Sequence, residues 1–240
     1  MDSAAVPAMD KVGDVAWFRR FTTILAVFIV LCFALNAVLG RAAYSYTLFW
    51  PHAHALVMVS WLALHVFQAR HAAGGDLARH RRLGWIGAYL AVIVVGSMSF
   101  SGVAALRGGY VPPFYSPAYF LALTQVGAIV FGGLVFAAIT RRSQTDFHRR
   151  LITGSLIAIA SPALGRVLPM PLIAPWGGWL ILAIQLGLVG LIALHDRRTT
   201  GRIHPSTATV GGILAMTEVL VTLAATNRMV QELAASIAGG

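Results

Sequence analysis

The residues best suited to chemistry lie in the stretch WPHAHALVMVSWLALHVFQAR, positions 50–70. At 100° per residue, the spacings of His54, Trp61, His65 and Gln68 put all four on one face of a helix. A face this polar is not meant for lipid. The two histidines are three turns apart, about 16 Å along the axis, so one imidazole belongs near each side of a membrane. Stacked imidazoles on a transmembrane helix suit the axial ligation of haem b, or of a metal ion at His54 or His65. Towards the inner side, His65 has potential partners in His80, His148 and His195, with Arg81, Arg82, Arg149 and Arg150 near enough in sequence to pair haem propionates. On the outer side only His52 remains, and as an i, i+2 neighbour it points away from His54. One inner haem is therefore the stronger reading. The same four residues also fit two other uses: neutral hydrogen-bonded contacts between helices, and a proton or substrate pathway.

Two further stretches rhyme. ARHRRLGW at 78–85 and DFHRRLIT at 146–153 each place His-Arg-Arg-Leu at the start of an apolar segment. His80 and His148 are 68 residues apart, the length of one helical hairpin with its loops, which predicts a parallel repeat of hairpins. The alternative for both histidines is an interfacial anchor for anionic lipid headgroups.

Two charges sit where charge is expensive, Glu218 in GGILAMTEVLVTLAA and Arg166 in SPALGRVLP. An ionised group at the centre of a span costs about 2.5–3.5 kcal/mol and normally faces the bundle with a partner. Their depths predict that the two pair, or that Glu218 is protonated and hydrogen-bonded. A buried glutamate of this kind serves a proton-coupled carrier as readily as it serves structure. Gln125 and Gln185 add interior polarity, and Pro162 breaks a backbone ladder, freeing carbonyls that either line a site or mark a kink.

The elements that position these residues follow from composition. With 58% hydrophobic and 11% charged residues, the 240-residue chain reads as one membrane-embedded unit with no soluble domain. Apolar windows of about 20 residues lie near 21–40, 49–69, 83–104, 118–140, 151–169, 177–195 and 206–227. The fold class expected is thus an all-α integral membrane bundle of seven transmembrane helices over 17–228, with a cytoplasmic tail at 1–16 and a short extracytoplasmic tail at 229–240. Of the 18 Lys and Arg residues, all but Arg41, Arg107, Arg166 and Arg228 fall before the first window or on alternate connections. That is a positive-inside pattern with the N-terminus in the cytoplasm and the C-terminus outside. Tyr44, Tyr46, Trp50, Tyr110, Tyr115, Tyr119, Trp176 and Trp179 mark the outer interface, and Trp17, Trp85 and Phe147 the inner one.

The leader, which carries Asp2, Asp10 and Asp14, does not resemble a cleavable signal. The outer connection 107–117 is stiffened by Pro112, Pro113 and Pro117 and reads as a connector or a lid. Cys32 stands alone, so there is no disulfide framework and no thiol metal site. Gly132, Gly133, Gly211 and Gly212 suit close helix packing. The chain lacks a phosphate-binding glycine loop, a nucleophile elbow, an HExxH and a histidine-box cluster. Its one lysine, Lys11, precedes the first span and excludes a retinal Schiff base in the last. The charge of +10 marks topology rather than nucleic acid.

The series from His54 through Trp61 and Gln68 to HRRLGW, then FHRRL and Arg166, resembles a family of bacterial inner-membrane proteins with HRRLG-type cytoplasmic loops. The likeness covers roughly 48–170. It implies a helical bundle in the bacterial inner membrane with histidine-bearing inner loops, and no particular activity. Three functions remain in view. The first is a haem b or metal-binding redox or redox-accessory protein, ligated by His65 with His80 or His148, in contact with a membrane redox partner or larger complex. The second is a small proton-linked carrier built on Glu218, Arg166 and the His54 to Gln68 face. The third is a non-catalytic subunit or scaffold that binds anionic lipid headgroups at its arginine-rich inner loops.

Overall fold

The computed structural model of the chain describes residues 11–40, 48–174 and 176–239. Asp2, Asp10, Arg41, Tyr44 and Tyr46 lie outside them. Among the described residues every regular element is a helix. These are α1 (Lys11–Val38), α2 (Phe49–Ala73), α3 (Leu77–Arg107), α4 (Pro117–Thr140), α5 (Thr145–Ala158), α6 (Ser161–Val167), α7 (Met170–Ile173), α8 (Gly177–Thr200), α9 (Pro205–Thr226) and α10 (Arg228–Gly239). Five stretches, Gly13–Val38, α3, α4, α8 and α9, are long and apolar enough to cross a membrane. The chain is a multi-pass membrane protein on that ground. Outward faces keep Ile24, Val92 and Ile129 about 70% exposed, a surface suited to lipid rather than water.

Two of the seven expected spans take a different form. The 25-residue α2 is long enough to cross, but it carries His52, His54, His65, Gln68 and Arg70 and is not among the apolar five. The fifth window is broken into α5, α6 and α7. Pro162, near the start of α6, has no N–H to give the ladder. The amide of Gln185 on α8 reaches across instead and donates to the carbonyls of Ile157 (2.8 Å) and Ala158 (3.2 Å). The freed carbonyls are thus satisfied within the bundle, as lipid surroundings require.

Contacts at both ends of each pair fix how the helices run. Asp14 meets Arg149 at one end, and Arg166 lies 4.1 Å over the ring of Phe33 at the other, so α1 and the α5–α6 unit run the same way. The Arg150–Asp196 and Ile157–Gln185 contacts make α8 antiparallel to α5. Likewise Thr207 with Asp196 and Glu218 beside Gly178 make α9 antiparallel to α8. α5 is the enclosed element: nearly every residue from Arg150 to Ala160 is buried among α1, α4, α8 and α9.

Small residues permit this closeness. A Cβ on Gly154 would collide with Val210 on α9, and one on Gly178 would strike both Glu218 and Tyr119. By contrast Gly133 and Gly212, expected as packing positions, face open space. Both terminal segments are also more structured than tails. α1 begins at Lys11 and buries Asp14 to 1% exposure, and α10 seats Ala234 against Leu106, Ala118 and Leu121.

Candidate functional site

At the ends of α2–α5 the two HRRL histidines occupy matching positions. His80 Nδ1 donates to the carbonyl of Gln68 (3.2 Å), and His148 Nδ1 donates to the carbonyl of Ala138 (2.8 Å). Each histidine thereby staples the helix it begins to the helix before it. The need is plain for Ala138: the amide of Arg142, four residues on, bonds Ile139 instead, so the carbonyl lacks its helical donor. A carbonyl only accepts, so the proton of each neutral ring is on Nδ1 and Nε2 keeps its lone pair. The two rings are perpendicular, at 85°, with centroids 6.2 Å apart.

His65 completes the group from α2. It is buried, within electrostatic reach of His148, and its ring centroid is 6.2 Å from that of Trp61. Two buried polar atoms of the same face, Trp61 Nε1 and Gln68 Oε1, have no hydrogen-bond partner. Such orphans are rare in folded proteins and mark places where a ligand or water belongs. The face drawn from helical periodicity therefore does turn inward at Trp61, His65 and Gln68. His54 stands apart: Ser97 gives its hydroxyl proton to Val94, so His54 Nδ1 donates to Ser97 Oγ (3.2 Å).

The arginines expected to serve haem propionates divide into two kinds. Arg81 and Arg82 are exposed. Arg149 and Arg150 are committed elsewhere, in an ion-pair network joining α1, α5, α8 and α9. Arg150 gives Nε (2.9 Å) and Nη2 (2.6 Å) to Asp196 Oδ1. Asp196 Oδ2 accepts from Thr207 Oγ1 (2.5 Å) and from the amide of His204 (3.1 Å). Arg149 joins Asp14 to Asp146, and both guanidiniums lie over the ring of Phe18. His195, one of the expected partners for His65, instead donates Nε2–H to Asp14 Oδ1 (2.7 Å) and stacks on Trp17 at 4.1 Å. Only His80 and His148 remain for that role.

The end of the bundle away from the HRRL histidines holds Glu218. Its structural partner is Tyr119, whose hydroxyl donates to Oε1 at 2.7 Å, in place of the Arg166 expected from depth. Arg166 is on the α6 side of the break, where its Nη1 donates to the carbonyl of Pro162 (2.8 Å) while its plane covers Phe33. The proline-rich outer connection is ordered over this region: Phe114 and Tyr115 pack against Leu164, Met170 and Ile181, and Tyr115 stacks on Tyr119.

Asp14, Asp196, Thr207 and Tyr119 were missing from the residues singled out by spacing. Asp196 carried the one available signal, as an acid buried in a run of inner-end cations, LHDRR. Haem b is a fair fit to the imidazoles at His80 and His148 and to the orphaned groups at Trp61 and Gln68. It is a poor fit to Arg149 and Arg150. Among the described residues no group of three or more His, Cys, Asp or Glu side chains is arranged to hold a metal ion. Comparison of the chain with protein-family models, curated proteins and solved structures returns no match.

Proposed function

We infer that the protein is a redox or redox-accessory protein of the bacterial inner membrane. In this reading it crosses the bilayer seven times, with the N-terminus in the cytoplasm, and holds haem b, or a transition-metal ion, between the inner ends of α2–α5. The observation that carries the reading is the pair His80 and His148. Their ring centroids are 6.2 Å apart, and the Nδ1–H bonds to backbone leave each Nε2 its lone pair, so His80 and His148 would together hold the iron or metal ion. Donation of Nδ1–H to a backbone carbonyl is also how ligating histidines are commonly held. His65 is within electrostatic reach of His148, Trp61 and Gln68 bring two orphaned polar atoms on the same helix, and the exposed Arg81 and Arg82 are the cations left for propionates. Bound haem supplies one-electron chemistry at its iron. The chain's part is to fix the two tautomers.

The matching bonds of His80 and His148 to the preceding helix favour the pairing, because in a parallel-hairpin repeat each HRRL histidine would be the same ligand in two copies of one unit. A reduced-minus-oxidised visible spectrum of protein expressed with ample haem tests this. Soret and alpha bands that vanish in His80→Ala and in His148→Ala are expected. A featureless spectrum with a blank metal analysis overturns the reading.

The broken α5–α6 helix favours a second function, a proton-linked carrier. Discontinuous helices with buried polar side chains are the usual substrate-binding devices of carriers, and Gln185 and Glu218 both lie in this region. Uptake that depends on pH and is lost in Glu218→Gln, in protein without haem bands, would select it.

A further inference from the structure

We propose that the groove between the inner ends of α1 and α2 is a binding site for one anionic phospholipid, its phosphate held by Arg19, Arg20 and Arg70. A cavity of about 480 Å³ opens there, lined by these three arginines with Thr23, Ile24 and Val66. Three inner-side arginines outside the groove find acids: Arg79 pairs with Asp76, Arg149 with Asp14 and Asp146, and Arg150 with Asp196. None of the ion pairs among the described residues includes Arg19, Arg20 or Arg70. Three guanidiniums around one cavity, with no acid paired to them among the described residues, make an anion site, and a phosphate oxygen accepts from each.

The groove is also built in two layers. α1 and α2 pack side by side, and their sequences place the cationic residues at the inner ends, with Ile24 and Val66 one turn further along each helix towards the bilayer centre. The rim is therefore cationic and the wall beneath it apolar. Ile24 is 69% exposed, and Phe28 and Leu31 continue the apolar track outward on α1. A free phosphate uses only the rim. A phospholipid uses both layers, headgroup among the arginines and an acyl chain along Ile24 and Val66. A zwitterionic lipid brings its own ammonium group towards three guanidiniums, which disfavours it. Basic pockets between transmembrane helices on the cytoplasmic side are a known mode of anionic headgroup capture.

The test is native mass spectrometry of the full chain in detergent, titrated with phosphatidylglycerol, phosphatidylcholine of the same chain length, or inorganic phosphate. One phosphatidylglycerol retained per chain is expected, with at least tenfold weaker retention for phosphatidylcholine. Arg19→Gln/Arg70→Gln lowers retention tenfold or more. Ile24→Trp, which fills the apolar wall at an exposed position and leaves every charge in place, lowers it comparably and carries the test if the double variant does not fold. Arg197→Gln/Arg198→Gln removes two exposed inner-side charges that do not line the groove and leaves retention unchanged. Equal retention of phosphatidylcholine overturns the proposal. So does competition by millimolar inorganic phosphate that matches the lipid, which would make this a free-anion site. An equal loss in the Arg197/Arg198 variant also overturns it, by reducing the effect to bulk surface charge.

Discussion

The four letters HRRL begin both α3 and α5, and the structure treats the histidine alike in the two places and the arginines oppositely. His80 and His148 each reach back to a carbonyl of the preceding helix. Arg81 and Arg82 face outward, whereas Arg149 is largely buried and Arg150 is 1% exposed. The difference lies in what surrounds each helix. α5 is enclosed by helices that bring Asp14 from α1 and Asp196 from α8, while α3 packs chiefly on α2 and α4 and meets no acid beyond Asp76, at its own N-cap. The histidine's role is set by local geometry that any such hairpin reproduces. The arginine's role is set by tertiary neighbours, and the same residue type becomes a surface charge in one copy and a core ion pair in the other.

The largest test of this contrast is charge removal. Arg150→Met leaves Asp196 buried with an uncompensated charge, which costs about 3–5 kcal/mol. Arg82→Met, at an exposed position, is expected to change stability by about 0.5 kcal/mol or less. Adding Asp196→Asn to Arg150→Met recovers part of the loss, because the stranded charge is gone. Chemical unfolding in detergent measures all three. Equal losses at positions 82 and 150 would mean that the Arg150 pair is not the core contact described above.

The histidines give the intermediate effect. Losing His148 strands the Ala138 carbonyl, which lacks its helical donor, and costs about 1–3 kcal/mol. His80→Ala costs less, about 0.5–1.5 kcal/mol, as the net worth of one hydrogen bond. Asparagine sharpens the comparison, since its amide donates from near the Nδ1 position but is a poor metal ligand. If the staple and the ligand are separate duties, His148→Asn keeps most of the stability and loses any haem band. Loss of both together would tie the fold of this end to an occupied site.

The α5 break has an effect of similar size. Gln185→Leu removes the donor to the Ile157 and Ala158 carbonyls and is expected to destabilise by about 1–3 kcal/mol. A conservative apolar change at an α3 position facing lipid, such as Val92→Leu, is expected to be near neutral. Thermal unfolding in one detergent compares the two, and a near-neutral Gln185→Leu would show that water or another group already satisfies those carbonyls.

The sequence made the helices legible because a bilayer permits little else: six of the seven apolar windows match continuous helices to within about ten residues at each end. The inward face of α2 and the HRRL rhyme were legible for the same reason, since both depend on spacing within one helix or hairpin. The fifth window was harder. Pro162 announced a break, but the amide that closes it comes from Gln185, 23 residues further on. The charge network was barely legible, with Asp196 in LHDRR its one signal, because Asp14 and His195 meet across 181 residues and no periodicity links them. Asp14 even read as part of a polar leader, whereas burial makes it a core residue. Glu218 was rightly marked as needing a partner, and depth alone pointed to Arg166 because it weighs charge and ignores a tyrosine that carries none.

The smallest effect concerns pH, and it too should belong to the α5 side. Asp196, held by Arg150, fixes the amide of His204, and the imidazole of His204 in turn accepts from the amide of Ser206 to cap α9. That role needs a bare Nδ1. Burial, and then the nearby Arg150, hold the His204 imidazole below its ordinary value of about 6.5. The folded chain therefore keeps this ring neutral, while the unfolded chain takes up a proton as pH falls through about 6.5. This contribution to stability is complete above that pH and declines below it. Partial exposure limits the loss to about 0.5 kcal/mol between pH 7 and pH 5. His204→Asn supplies a cap acceptor that does not titrate, so its unfolding midpoint should fall less steeply with acid than that of the parent. An identical slope in the His204 variant would assign the acid sensitivity to other groups and remove pH from the list of ways in which the two HRRL ends differ.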